Sequence, residues 1–241
     1  MVKYPIFIGY DPRQPVAFTV LSHSIIKFAT RPVAITPLVL EHTGIDRVGL
    51  TPFTFSRFLV PYMMNYEGRA VFMDIDMMVV GDITELFKLA CQEDKKVWVV
   101  KNKLHRYEWP SLMLFDCEKC PELTPEFVQN TDKPLHTMGW CKEEEIGEFS
   151  PEWNQLVGYD PPNPNAKAIH FTQGVPAFPE TEKCEWAEQW REMAQAAFST
   201  ASWRELMSRS VHAVWIGGVP MPKFAVDKYL EGKKYESAIA E

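Results

Sequence analysis

Residues 69–82 read Arg-Ala-Val-Phe-Met-Asp-Ile-Asp-Met-Met-Val-Val-Gly-Asp, and no other stretch constrains the fold as tightly. Positions 70–73 are apolar throughout, the pattern of a strand buried on both faces, as in sheets covered by helices on each side. The strand then ends abruptly on two acids, Asp74 and Asp76. Two carboxylates at the mouth of a buried strand are costly in isolation, because each charge prefers water. A divalent cation is the natural compensation: carboxylate oxygens are hard ligands suited to Mg2+ or Mn2+, and those ions bridge the phosphate oxygens of nucleotides. The acids also fall beyond the carboxyl end of a strand, where open α/β sheets bind ligands. Alone, an Asp-x-Asp pair commonly caps a turn or faces solvent. Here an apolar run follows it, and Asp82 with Glu85 then makes a capping box for a helix through Leu89.

The surrounding pattern fits such a sheet. Residues 4–9 are a short apolar run ending at Gly-Tyr-Asp, followed by a helical pattern over 15–29 and a strand over 33–40, whose Pro37 argues for an edge position. Residues 54–66 carry helical spacing with a kink or a break at Pro61, and 96–100 read as the next strand. Strands alternating with helices over the first hundred residues predict an α/β fold with a largely parallel sheet. Further on, 109–117 contain a strand, 151–164 read as a long Pro/Asn/Gly-rich loop, 166–171 as a late strand and 182–198 as a helix. We expect one domain over 1–200 and a C-terminal helical extension or tail over 201–241, with an amphipathic stretch at 203–215 ahead of Gly217-Gly218.

Composition narrows the partners. With 25 basic against 32 acidic residues there is no basic stripe to neutralise a nucleic-acid backbone, so nucleic acid is not the expected partner. No run of 18 uncharged apolar residues occurs and the N-terminus lacks a signal-peptide pattern, which predicts a cytoplasmic protein without a transmembrane segment. Five scattered cysteines suit reduced thiols. Cys117 and Cys120 have the spacing of half a zinc site, with Cys141 or Cys184 conceivable as further ligands, but no second close pair accompanies them.

The segment 53–87, with Phe-Ser-Arg57-Phe-Leu-Val-Pro and then Met-Asp74-Ile-Asp76 through Gly-Asp-Ile-Thr-Glu-Leu-Phe, resembles the glycogenin-like family 8 glycosyltransferases, here of bacterial type. The opening Ile6-Phe-Ile-Gly-Tyr-Asp11 and the late Ile169-His-Phe-Thr-Gln-Gly-Val-Pro176 are similar to two further motifs of that family, in matching order over about residues 4–190. The resemblance implies a GT-A, Rossmann-like fold with a mostly parallel central sheet flanked by helices. It also implies transfer of a hexose from a nucleotide sugar, a UDP-sugar, to a hydroxyl acceptor with retention. Asp74, Asp76 and His170 would ligate Mn2+ or Mg2+, with Asp74 also near the ribose. Tyr10 and Asp11 would lie against uracil and ribose, Arg57 would reach a donor phosphate or sugar, and Gly174 would let backbone approach the diphosphate. Read without the resemblance, Asp11 before Pro12 is equally an Asx turn, Arg57 a surface ion pair and His170 a structural histidine.

The sequence departs from that family at three places. Gly174 is followed by Val-Pro-Ala, where members carry a lysine gripping the diphosphate. The Asn-Ser-Gly turn survives only as Trp-Pro-Ser111. His136-Thr-Met-Gly-Trp140 and Glu143-Glu-Glu145 stand where Asp-Gln-Asp is usual. Ser111 and Glu145 are therefore the remaining catalytic candidates, although a glutamate run is usually a solvated face. Trp140 and Trp153 read as core more readily than as sugar-stacking surfaces. The acceptor, whether glycan, lipid-linked or protein, is not legible. Two alternatives stand beside the transferase: a sugar-nucleotide-binding domain without turnover, and a haloacid-dehalogenase-like phosphatase using Asp74 as nucleophile.

Overall fold

The apolar run near the N-terminus forms β1 (Pro5–Gly9), buried along its whole length. A computed structural model describes residues 4–207, 213–216, 219–223, 226–228 and 230–231. After β1 comes α1 (Pro15–Phe28), opened by a proline in its first turn, where the missing N–H removes no helical bond. It leads to β2 (Ala34–Leu38), which pairs with β1 alone and so places Pro37 on an edge strand.

Residues 54–66 do not form one kinked helix. They break into α2 (Phe53–Ser56), a 3-10 turn at Arg57–Leu59 and α3 (Val60–Met63), with Pro61 at the start of α3. Positive φ at Asn65, Tyr66 and Gly68 then turns the chain into β3 (Arg69–Met73). β4 (Met77–Val79) follows the two acids, and α4 (Glu85–Leu89) comes next. The expected capping box at Asp82 is absent. Asp82 Oδ1 instead accepts from the Thr84 N–H at 3.0 Å and the Thr84 hydroxyl at 2.7 Å, and Glu85 pairs with Lys167 at 2.7 Å rather than folding back.

Beyond lie β5 (Val97–Val99), β6 (Leu112–Asp116), α5 (Pro125–Asn130) and β7 (Ile146–Glu148). The stretch 151–164 is not a plain loop: a 3-10 turn at Pro151–Trp153 precedes β8 (Gln155–Leu156), a strand too short for any periodicity to show. β9 (Ala168–His170) and α6 (Ala187–Phe198) complete this region. α6 starts later than the sequence pattern suggested, because Trp186 has φ 63° and interrupts the helix there.

The main sheet has six strands in the order β2-β1-β3-β6-β5-β7. Every strand runs the same way except β6, which is antiparallel to both β3 and β5. Helices flank this mostly parallel sheet, the expected GT-A architecture. A second sheet, β4-β9-β8, is what positions the site. β4 pairs antiparallel with β9, Met77 opposite His170, and Phe171 N–H donates to the Asp76 carbonyl at 2.9 Å. β4 is pinned to α1 through a bond from Val79 N–H to Ser24 Oγ, 3.0 Å and buried.

Side chains of β1, β3 and β6 form the centre of the core, with Ala70 to Met73 fully buried. Burying a large apolar side chain there contributes on the order of 1.5–3 kcal/mol. Trp140 and Trp153 are also buried, so neither presents a ring face to solvent. All five cysteines are free. Burial pushes the Cys117 thiol up to about 12 and the Cys120 thiol up as well. Among the described residues no cysteine joins a cluster that could hold a metal, so the half-zinc spacing closes no site.

The chain divides into two compact units, Met1–Ala197 and Phe198–Glu241. In the second lie α7 (Trp203–Met207) and an antiparallel pair of strands, β10 (Ala213–Ile216) and β11 (Val219–Pro222). Of the amphipathic stretch over 203–215, residues 203–207 are helix and 213–215 strand, and 208–212 lie outside the described residues. Gly217-Gly218 and the charged end from 232 onward lie outside the described residues. Among the described residues no helix is long and apolar enough to cross a membrane.

Candidate metal centre

β3 stops where Asp74 N–H donates to the Ser111 carbonyl at 2.9 Å, fixing the turn to the start of β6. Ile75 points into the core, fully buried, so the acids flanking it project to the other side. The β4–β9 pairing brings His170 against them. Ligand atoms of Asp74, Asp76 and His170 all lie within 4.8 Å of one another, and His170 Nε2 is 3.4 Å from Asp76 Oδ1. The three residues line a cleft of about 560 Å³, together with Arg57, Glu108, Ser111 and His136.

His170 is held by its other nitrogen. Nδ1 lies 3.1 Å from Asn154 Oδ1, and the orientation of that amide is set by Asn154 Nδ2, which donates to the Glu108 carbonyl. Nδ1 therefore carries the proton in the neutral ring, leaving the Nε2 lone pair directed at the acids. This is the tautomer a metal ligand needs, fixed from behind by a buried amide. Glu108 adds a third carboxylate, 3.9 Å from Nδ1, and accepts from the Ser111 hydroxyl at 3.0 Å.

Arg57 supplies the counter-charge, but not at the surface. It is buried, 2.9 Å from Asp74 Oδ1, donates to the carbonyls of Phe53 and Pro110, and lies over the Phe53 and Phe72 rings. The surface ion pair is thereby replaced by an internal one. Even so, Asp74 Oδ1 receives no well-directed hydrogen bond, since the 2.9 Å approach is ionic and poorly aligned, and Asp76 Oδ1 receives none either. Two orphaned carboxylate oxygens inside a fold are costly unless a cation meets them. Burial pushes the Asp74 carboxyl up against the pull of Arg57, with Asp76 adding to the rise. Burial would lower His170, but the nearby charges of Asp76, Asp74 and Glu108 outweigh that and raise it. The cluster thus carries an unmet demand for positive charge, and the donor set fits a divalent ion.

Of the other candidates, Tyr10, Asp11, Gly174 and Glu145 fall outside the cleft's lining. Asp11 is buried, and its oxygens take the Arg13 N–H at 3.0 Å and the Arg13 guanidinium at 2.6–3.1 Å, the Asx-turn alternative. Tyr10 packs edge-on to Phe18. Gly174 has φ +110°, which demands glycine, and an added Cβ would meet Phe178 at 3.1 Å; it borders a separate recess with Gln173 and Thr181. Glu145 caps its own 3-10 turn through the Lys142 N–H and pairs with Lys96 at 3.3 Å. Ser111 does line the cleft. Glu108 and Asn154 were missed by sequence reasoning: Asn154 reaches His170 through the packing of β8 beside β9, Glu108 comes from the 3-10 segment Arg106–Ser111, and no local pattern announces either.

The fold and its sheet-edge acids define a GT-A α/β protein, and solved glycosyltransferases share the architecture. The bifunctional glycosyltransferase WbbM superimposes with TM-score 0.63 at 16% identity, over 85% of this chain and 51% of WbbM. The galactosyltransferase LgtC, in complex with donor and acceptor sugar analogues, gives 0.58 at 13%, over 83% and 99%. GlyE of Streptococcus pneumoniae TIGR4 gives 0.59 at 14%, over 80% and 60%. The chain thus spans about half of WbbM and three fifths of GlyE. No protein-family model matches the sequence. The chain is 35% identical over 218 residues to Protein CDI of Arabidopsis thaliana, across 78% of this chain and 84% of that protein, and it belongs to the same family. The relative is a plant protein, and the GT-A fold displaces the dehalogenase-like phosphatase alternative.

Proposed function

We propose that residues 1–200 form a metal-dependent glycosyltransferase domain that moves a hexose from a UDP-sugar to a hydroxyl acceptor, with retention, in the manner of family 8. The observation that carries this reading is the convergence of Asp74, Asp76 and His170 within 4.8 Å, with two buried carboxylate oxygens left unsatisfied. Mixed carboxylate and imidazole donors suit Mn2+ and also accept Mg2+. When bound, the ion would stabilise charge on the departing diphosphate as a Lewis acid.

The chain's own residues divide the remaining work. Arg57 offsets part of the burial cost of the Asp74 charge, and Asn154 holds the His170 ring and its tautomer. Ile8 stands opposite Met73 in the sheet, so Tyr10 leaves the same edge as Asp74 and is proposed for the base. Asp11 stays with its turn. Ser111 and Glu108 border the reaction space as a hydrogen-bonded pair. Arg47 and Lys133, also in the cleft wall, are the cations available to the diphosphate in place of the lysine absent after Gly174.

The test is Mn2+-dependent binding of UDP and hydrolysis of UDP-sugars by Asp76→Ala protein. Loss of both by more than about 100-fold is expected, as for removal of an inner metal ligand; values equal to wild type would end the proposal. Wild-type protein that binds UDP tightly yet neither hydrolyses nor transfers sugar across an acceptor panel would favour the binding domain without turnover, the reading that the missing lysine supports.

A further inference from the structure

One polar group in the cleft is left without work by the metal centre. His136 stands on a 3-10 turn, Leu135–Thr137, that ends in Met138 with φ 62°, and Leu135 and Met138 are buried on either side of it. The turn therefore holds the imidazole firmly. Its ring meets Phe55 and Phe58 nearly edge-on, at 6.4 and 6.2 Å between centroids, and lines the cleft that contains Asp74, Asp76 and His170. Among the described residues neither ring nitrogen has a hydrogen-bond partner. Neither nitrogen is buried, so the polar edge of the ring is open to the cleft.

The ring is also neutral. Burial, and then the Arg57 charge, push its pKa down to about 3. A neutral imidazole presents one N–H donor and one acceptor nitrogen. That pairing matches a hydroxyl, which both gives and takes a hydrogen bond, better than it matches a carboxylate or an ammonium group. Beside it stand Phe55, with the Arg47 guanidinium 4.0 Å over its ring, and the buried Leu135. A ring bearing several hydroxyls meets the requirement of the imidazole, and a sugar is such a ring.

We propose that His136 reads a hydroxyl of the sugar to be transferred and so selects among uncharged hexoses. This rests on the nucleotide-sugar reading above, and the test separates the two.

The experiment is calorimetric titration of the full chain with Mn2+ present, using UDP, UDP-glucose, UDP-galactose and UDP-N-acetylglucosamine. It compares wild type with His136→Phe, which fills the site and keeps the edge packing, and with His136→Gln, which restores a donor and an acceptor. His136→Leu is the second apolar variant should the phenylalanine unfold the protein. Wild type is expected to rank the three sugars. The apolar variants should keep UDP affinity within about twofold and flatten the ranking by about tenfold, the worth of one neutral hydrogen bond, with glutamine recovering part of it. Wild type that binds UDP without ranking the sugars, or an apolar variant that ranks them as wild type does, overturns the assignment of His136 alone. Wild type that binds no UDP overturns the nucleotide-sugar reading and this inference with it.

Discussion

β1 and β3 are parallel neighbours, each followed by a buried acid with an arginine partner, yet the two acids are held in opposite ways. Asp11 takes all its bonds from Arg13, two residues on, whose side chain is 72% exposed. Its own turn neutralises it. Asp74 takes its cation from another element, and both partners are buried. One of its oxygens, and one of Asp76, still lack a directed bond. A carboxylate satisfied locally is part of a turn; a buried pair left unsatisfied despite an arginine alongside is waiting for a ligand.

The largest effect should come from breaking the buried pair. Arg57→Leu leaves the Asp74 charge uncompensated inside the fold, a change expected to cost roughly 3–5 kcal/mol in urea unfolding. Adding Asp74→Asn should recover more than half of that loss, because the stranded charge is gone. Arg13→Ala should barely move the midpoint. Equal losses for the single and double variants would show that packing of Arg57 over Phe53 and Phe72, rather than charge, sets the cost.

Next in size is the support behind His170. Asn154→Ala frees Nδ1 and with it the tautomer, and Mn2+ affinity measured by calorimetry should fall by about 10–100-fold while the fold persists. An unchanged affinity would mean that the β4–β9 pairing alone orients the ring.

How much of this was legible in the sequence follows from the range of each interaction. The buried run over 70–73, the proline-marked edge strand and the alternation of strands and helices are local patterns, and they predicted the sheet. Asp74 and Asp76 stood out because acids so rarely end such a run. His170 was placed by resemblance alone; what brings it to the acids is the antiparallel pairing of β4 with β9, which leaves no periodic trace. Glu108, Asn154 and the burial of Arg57 depend on packing between distant segments and were invisible. Glu145 lies outside the cleft lining, where it caps a turn and pairs with Lys96, and Glu143 of the same run pairs with Lys101 and Arg106.

The smallest effect expected is at Asp11, and it sharpens the comparison most. Hydrogen bonds from the Arg13 side chain, working against burial, hold the Asp11 carboxyl below the usual carboxylate range. Its folded pKa thus lies under the unfolded value of about 3.9. Below about pH 4 the unfolded chain takes up a proton that the folded chain does not, so stability falls as pH falls and the contribution is complete above that range. Asp11→Asn keeps an acceptor for the Arg13 N–H but removes the titration. At neutral pH it should cost less than about 1 kcal/mol, because the arginine is open to solvent and screened, and the gap to wild type should close as the pH drops toward about 3. Urea midpoints across that range measure it. The same variant should leave Mn2+-dependent UDP affinity within about twofold, an effect too small for a lost charge-assisted hydrogen bond. A loss beyond about tenfold, more than a solvent-screened pair accounts for, would place Asp11 at the ribose after all and erase the contrast between the two acids.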